Sequence, residues 1–500
     1  MTTLPEAKLF IDGQLCQAEG GKTYDLIGPW TGQPIGKAAD ASANDVERAI
    51  AAARRAFDTT DWGTVENKEN RLALVKKLRA LFEREKDRIG EMAIQEAGAA
   101  RGAVGRAHVA MALDGWDDYI NVFPKVAFEK DYGNKFGFGY ESHRVAVYEP
   151  VGVVAAITPW NVPLYVNIGK VVAALLAGCT VILKPAPNTP HEGVIFGELA
   201  AEAGFPAGVL QVVYGQDPAL VGEMLVKDPR VDLISFTGST AVGKRIMEQG
   251  AATLKRVFLE LGGKSAKIVL DDDPNFAMSV ATTALVFHAG QGCAVQSRLL
   301  VPKSRYEEAK AVLQHTYASI GDNWGDINEP EHIMGPLVNA NQYQRVQNYI
   351  KLGQEEGATL FIGGKTRPEK SPDGKGGGYF VEPTVFTDVT NDMRIAQEEI
   401  FGPVLVVIPF EDDEDAIRIA NESSYGLSGG VNSGDFNRAL KVAKRIRTGS
   451  VGVNNGMCIA GDIPFGGYKA SGIGREWGVE GIEEYLETKM LAWPNVPAAA

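Results

Sequence analysis

Val151-Gly152-Val153-Val154-Ala155-Ala156-Ile157 runs through seven residues without a polar side chain. A half-solvated strand alternates apolar and polar residues, so an unbroken apolar run of this kind fits a strand covered on both faces. The chain then repeats one rhythm. A helical stretch at 164–177 leads to a strand at 180–183, a helix at 191–203 and a strand at 209–213. A helix at 219–226, a strand at 233–236, a helix at 241–249 and a strand at 256–260 complete the series. This alternation predicts an α/β fold built on a doubly wound parallel sheet. Such sheets bind ligands beyond the carboxyl ends of their strands. Trp160 and Asn161, Lys184, Gly238 and Ser239, and Glu260 all stand at such ends.

Outside this block the reading is coarser. Residues 44–57 and 68–99 have the composition and spacing of helices. A second α/β stretch runs from Lys264 to about Val453, with strand-like runs at 404–409 and 449–453 around a helical run at 416–420. The Gly-, Pro- and Asp-rich segment 366–378 reads as a loop. Alternating aromatic and polar residues from Phe128 to Tyr148 predict an extended hairpin that interrupts the first domain. Residues 484–491 read as a further strand.

Two glycine-rich segments carry the chemistry: Leu259-Glu260-Leu261-Gly262-Gly263-Lys264-Ser265 and His288-Ala289-Gly290-Gln291-Gly292-Cys293-Ala294. A thiol attacks a carbonyl, and a carboxylate then activates water to release the product, which points to a covalent thioester. Cys293 is expected at a helix start, whose N-terminus would lower its pKa. The plainer readings are an inert buried cysteine and a salt-bridged strand-end carboxylate. His288 invites a Cys/His pair, but a helix terminus would make a neighbouring base unnecessary. Cys16, Cys179 and Cys458 read as inert, with Cys458 the best placed of the three to line a pocket. The Asn161 amide, between Trp160 and Val162-Pro163, can donate to a developing oxyanion. Lys184, backed by Pro185 and Pro187, can meet a ribose hydroxyl or a phosphate. Gly238-Ser-Thr-Ala-Val-Gly243-Lys244 nearly matches a phosphate-cradling P-loop, but Arg245 stands where a magnesium-binding hydroxyl belongs. Ser239 still reads as the cap of a helix whose N-terminus favours an anion. No GxGxxG turn follows a strand.

Bulk properties narrow the class. A chain of 500 residues divides into two or three domains. Its net charge of −13 argues against holding nucleic acid by phosphate neutralisation. No apolar run of about 18 residues predicts a membrane span, and no signal peptide is read at the N-terminus. Four cysteines without CxxC or Cys/His spacing predict neither a disulfide framework nor a metal site, and a cytoplasmic location is expected.

Taken together, the segments resemble the aldehyde dehydrogenase superfamily almost end to end. The marks are Pro159-Trp160-Asn161, Lys184-Pro185, Phe236-Thr237-Gly238-Ser239-Thr240, Glu260-Leu261-Gly262-Gly263-Lys264, Gly290-Gln291-Gly292-Cys293, Glu399-Ile400-Phe401-Gly402-Pro403 and Pro464-Phe465-Gly466-Gly467. The resemblance implies three parts. They are a cofactor domain of residues 1–126 and 150–262, a catalytic domain of 263–455, and a small β oligomerisation element of 127–149 and 478–500 that makes homodimers or homotetramers. It implies that Cys293 attacks the aldehyde, that Asn161 holds the oxyanion, and that Glu260 activates water. Trp160, Lys184, Gly238, Ser239, Glu399 and Phe401 would hold NAD, and Glu476 is a candidate secondary proton acceptor.

Two departures bear on specificity. NAD-preferring relatives often carry a glutamate where this chain has Pro187, which leaves NADP open. Val162 and Gly169 stand where many relatives place large aromatic side chains, facing the apolar loop Met457-Cys458-Ile459-Ala460. No arginine in these segments would clamp a second carboxylate, which argues against a semialdehyde substrate. A medium or bulky apolar aldehyde is therefore expected, aliphatic, terpenoid or aromatic. The rivals are a CoA-acylating enzyme, which usually lacks the carboxylate at Glu260, and a silent binding protein on the same fold. A thiol hydrolase has less support from the residues.

Overall fold

The computed structural model describes residues 4–284, 286–327 and 329–494. The run that opens the analysis forms the strand Val153–Ile157, buried at every position. It lies inside an eight-stranded sheet. From one edge the order is Gly472–Ile473, Arg256–Glu260, Leu233–Thr237, Val153–Ile157, Thr180–Lys184, Leu210–Val212, Leu9–Ile11 and Gln14–Cys16. The five central strands are parallel. The hairpin Leu9–Ile11/Gln14–Cys16 and the short Gly472–Ile473 close the two edges antiparallel. Neither edge was read from the sequence. Gly472–Ile473 brings the C-terminal part of the chain onto a sheet otherwise made before residue 261.

The helix Pro163–Ala177 explains why the sheet is doubly wound. It is apolar nearly all round and buried along almost its whole length, as a helix between a sheet and other helices must be. Pro163 occupies its first turn, and Gly178 at φ 101° ends it in a left-handed conformation that a side chain would oppose. Each buried Val, Leu or Ile here contributes roughly 1.5–3 kcal/mol.

The chain passes from Val153–Ile157 outward to Thr180–Lys184 and Leu210–Val212, then returns to the other side as Leu233–Thr237. The strand order therefore reverses between Ile157 and Phe236, which pair directly. A crevice opens at such a reversal because the crossovers leave in opposite directions.

A second, seven-stranded sheet runs Thr359–Ile362, Thr384–Thr387, Val404–Phe410, Arg298–Pro302, Ala266–Val269, Gly429–Asn432 and Gly452–Val453, parallel except for its first strand. Cys293 lies just before Arg298–Pro302, and Glu399 just before Val404–Phe410. The amino ends of the second sheet thus supply loops that face the carboxyl ends of the first.

The expected hairpin is present as Glu129–Gly137 and Tyr140–Pro150, with Leu486–Pro494 paired along the second of these strands. Residues 495–500 of the expected oligomerisation element, and 1–3 of the expected cofactor domain, lie outside the described residues. Among those described, no helix is long and apolar enough to cross a membrane.

Candidate functional site

The crevice at the strand-order reversal holds a cavity of about 280 Å³. Trp160, Asn161 and Val162 line it from the end of one strand, and Thr237, Gly238 and Ser239 from the end of its neighbour. Cys293, Glu399 and Phe401 line it from the second sheet. Seven of the nine site residues read from the sequence meet here. Lys184 ends the next strand, buried, and Glu260 ends the outer one, also buried.

The loop that carries Cys293 is held from several sides. Gln291 anchors it: its amide Nε2 donates to the His288 carbonyl at 3.0 Å, and its Oε1 accepts from the Val338 N–H at 3.0 Å. The Asn161 Nδ2 donates to the Gln291 carbonyl at 2.9 Å, so the proposed oxyanion donor is fixed two residues from the thiol. Gly263 must lack a side chain, because a Cβ there would lie 2.6 Å from the Cys293 carbonyl oxygen.

Here the structure corrects an expectation. Cys293 starts no helix. It sits in a turn between the short helical segment Phe287–Gly290 and the strand Arg298–Pro302, because His288 and Ala289 take left-handed backbone angles that break the helix first. Without a helix terminus the thiol pKa is not lowered. Burial, with the charges of Glu399 and Glu260, pushes it up to about 12. His288 does not compensate. It is buried against His108, ring centroids 4.9 Å apart, and burial and that neighbour hold it well below the usual imidazole range.

Glu260 is buried, and neither carboxylate oxygen has a hydrogen-bond partner. Burial first, and then Glu476, raise its pKa well above the ordinary value, while Lys170 opposes the shift. Glu476 itself is an ion pair with Lys170 at 3.1 Å, both buried. The ammonium group also reaches the Ser235 hydroxyl at 3.2 Å, which meets the Tyr485 hydroxyl at 3.0 Å. Gly466 closes over Glu260, where a Cβ would stand 2.8 Å from its carboxyl oxygen.

The cofactor-side residues also have definite settings. Ser239 caps the helix Thr240–Gly250 by accepting from the Val242 N–H at 3.4 Å. The Thr237 hydroxyl, in the cavity wall, is buried without a partner. Glu399 accepts from the Gly263 N–H at 2.9 Å, and Phe401 meets Trp160 edge to face, centroids 5.5 Å apart. Burial lowers the Lys184 amine to about 8, with Asp217 opposing. The Pro187 carbonyl accepts from the Tyr24 hydroxyl at 2.9 Å. Gln342 and Arg345, unread from the sequence, also line the cavity. Gln342 donates to the Ile400 and Phe401 carbonyls, and Arg345 to that of Glu399. They stand on a polar surface helix, Ala340–Glu355, whose pattern carries no motif.

The arrangement puts a thiol, an amide donor and a sealed carboxylate behind a crevice with bare backbone and a capped helix end. Known proteins are similar to this chain in sequence and fold. The profile of the Aldehyde dehydrogenase family matches residues 16–491. The chain is 41% identical to a Pseudomonas 3-succinoylsemialdehyde-pyridine dehydrogenase, over 97% of this chain and 98% of that protein. A Mycobacterium tuberculosis aldehyde dehydrogenase complexed with NAD+ is 40% identical and superposes with a TM-score of 0.93 over 100% of both chains. A cysteine-to-alanine variant of Pseudomonas syringae aldehyde dehydrogenase C, complexed with NAD+ and octanal, is 37% identical, with a TM-score of 0.90 over 97% of this chain and 96% of that one. The chain belongs to the aldehyde dehydrogenase family.

Proposed function

We propose that this enzyme oxidises an apolar aldehyde of medium or large size to its carboxylic acid through a thioester on Cys293. The observation that supports this most is the pairing of Cys293, on a loop held by Asn161, with an orphaned buried carboxylate at Glu260. The Cys293 thiol gives up its proton to water in the filled crevice, and its sulfur bonds to the aldehyde carbon. The carbonyl oxygen gains negative charge, which the Asn161 amide and the Cys293 backbone N–H stabilise. Because burial holds the resting thiol protonated, attack requires a proton acceptor or a change in local charge when the crevice fills. Loss of hydride from the adduct leaves a thioester. Glu260, once ionised, takes a proton from water, the water oxygen bonds to the acyl carbon, and the carbon–sulfur bond breaks. Glu476, which is coupled to Glu260 by charge, is the candidate next acceptor of that proton.

The crevice suits a nicotinamide dinucleotide. Gly238 has no room for a Cβ, which would lie 2.4 Å from the Phe236 ring, so bare backbone faces the cavity beside the orphaned Thr237 hydroxyl. Trp160, Gly238 and Ser239 would hold the pyrophosphate, Lys184 the adenosine ribose, and Glu399 with Phe401 the nicotinamide half. Bound there, oxidised nicotinamide supplies the hydride acceptor. Both solved relatives are complexed with NAD+, and Pro187 puts no carboxylate in the way of a 2′-phosphate, so NADP+ is a second candidate. The octanal bound by one relative agrees with an apolar substrate; the keto-semialdehyde in the other's name does not. Exposed Phe136, Phe138, Tyr140 and Trp493 on the three-stranded arm support homo-oligomer formation.

Cys293→Ala is expected to abolish turnover of hexanal by at least about 10³-fold while leaving NAD+ affinity within about twofold. Retained turnover, followed at 340 nm without CoA, would sink the thioester route. A rate that depends on CoA and yields acyl-CoA would favour the acylating rival.

A further inference from the structure

The chain crosses from the first sheet to the second between Glu260 and Ala266, and the end of this crossing walls a second, smaller cavity. Lys264 and Ser265 line it together with Arg298, which starts the neighbouring strand, and with Tyr425, Ser428 and Thr448. Its volume of about 10 Å³ holds one water-sized body. Lys264 is only 2% exposed and Ser265 3%. Among the described residues, neither the Lys264 amine nor the Ser265 hydroxyl has a hydrogen-bond partner. Arg298 is equally buried, and its guanidinium donates to neutral oxygens. These are the Lys264 carbonyl at 2.9 Å, and Asn391 Oδ1 and the Ile419 and Ala420 carbonyls at 3.0 Å. The carboxylates whose charge reaches Lys264 are bonded elsewhere, Glu399 to the Gly263 N–H at 2.9 Å and Glu398 to Arg394 at 2.7 Å. Two basic side chains thus share the wall of one buried cavity, with no carboxylate bonded to either among the described residues. Buried charges are ordinarily paired, and an orphaned one is costly.

We propose that this cavity binds one small monovalent anion, chloride in ordinary solution, held by the Lys264 ammonium group and the Ser265 hydroxyl beside the charge of Arg298. Water fits the space but offsets no charge, and phosphate or sulfate exceeds the volume. Without an anion, burial, and then the charges of Arg298 and Arg345, pull the Lys264 amine down to about 7, while Glu399 and Glu398 oppose the shift. Tyr425 adds no charge, because burial raises its pKa. The anion therefore enters with a proton, and binding is tighter at pH 6 than at pH 9. Its role is structural. It fixes Lys264 directly behind Gly263, which donates to Glu399 and packs against the Cys293 carbonyl. The site does not depend on the chemistry read at Cys293.

The test titrates sodium chloride or bromide into the full-length enzyme against sodium gluconate at constant ionic strength, and follows thermal unfolding. At pH 6 each halide is expected to raise Tm by about 2–4 °C and then saturate. At pH 9 the rise should be smaller. Lys264→Met should abolish the saturable rise. Ser265→Ala keeps the charge and should raise the half-saturating halide concentration about tenfold. A halide effect that never saturates, or one that persists unchanged in K264M, overturns the site. If K264M folds poorly, S265A carries the comparison. Crystals grown in bromide decide without any variant. An anomalous bromide peak within hydrogen-bond reach of Lys264 Nζ and Ser265 Oγ is expected, and water alone at that position overturns the proposal.

Discussion

Glu260 and Glu399 sit on either side of Gly262-Gly263, both carboxylates, Glu260 buried and Glu399 half-buried. Burial raises both pKa values. They differ in what meets them. Glu399 accepts from the Gly263 N–H at 2.9 Å, and its own carbonyl is held by Arg345. Glu260 accepts from nothing and faces a second acid, Glu476. A satisfied carboxylate is fixed in place and suited to holding a ligand. An unsatisfied one costs stability in the resting protein and is suited to proton transfer, since its charge state is poised by neighbours and not locked by donors.

If that contrast is right, the two amide variants behave differently. Glu260→Gln removes the base and leaves attack intact. Turnover is expected to fall about 10²–10⁴-fold while the first equivalent of NADH per active site still forms quickly. Rapid mixing that shows no such burst would mean that Glu260 acts before the thioester. Glu399→Gln keeps an oxygen acceptor for the Gly263 N–H, so the loop survives. Its effect is expected to be about tenfold or less, chiefly on KM for NAD+. If E399Q proved the more damaging variant for the release of acid, the comparison would be inverted.

How much of this was legible follows burial. Val153–Ile157, Thr180–Lys184 and Leu233–Thr237 read correctly because strands covered on both faces must be apolar throughout. The second sheet was harder. Ala266–Val269, Thr384–Thr387 and Gly429–Asn432 are four residues each, and Gly429-Gly430-Val431-Asn432 has little strand propensity of its own; pairing with Ala266–Val269 makes it a strand. The helix Met111–Val122 went unread because Asp114, Gly115, Asp117 and Asp118 interrupt its apolar pattern, although Gly115 is needed where Trp477 packs. In the site, residues at strand ends could be read because topology fixes where strand ends go. The state of Cys293 could not: it depends on left-handed backbone angles at His288 and Ala289 that no residue type there announces.

The smallest effect probes the pair behind Glu260. Burial raises the pKa of Glu476 and its ion pair with Lys170 opposes that rise, and the negative charge so favoured opposes ionisation of Glu260. The base works only when ionised, so acid release should rise with pH through the raised pKa of Glu260 and level off above it. Glu476→Gln removes the opposing charge and leaves Lys170 as a lone cation nearby. Both changes favour the ionised form of Glu260, so its pKa falls and the acid side of the pH–rate profile moves to lower pH. The plateau rate is expected to fall only a few-fold, because the thiol, the amide donor and the base all remain. An acid limb that stays in place, or moves to higher pH, would show that Glu476 is protonated in the working enzyme and that the Lys170 pair serves packing rather than proton traffic. Measuring kcat from pH 5 to 9 on both proteins under conditions where thioester hydrolysis limits turnover separates the two.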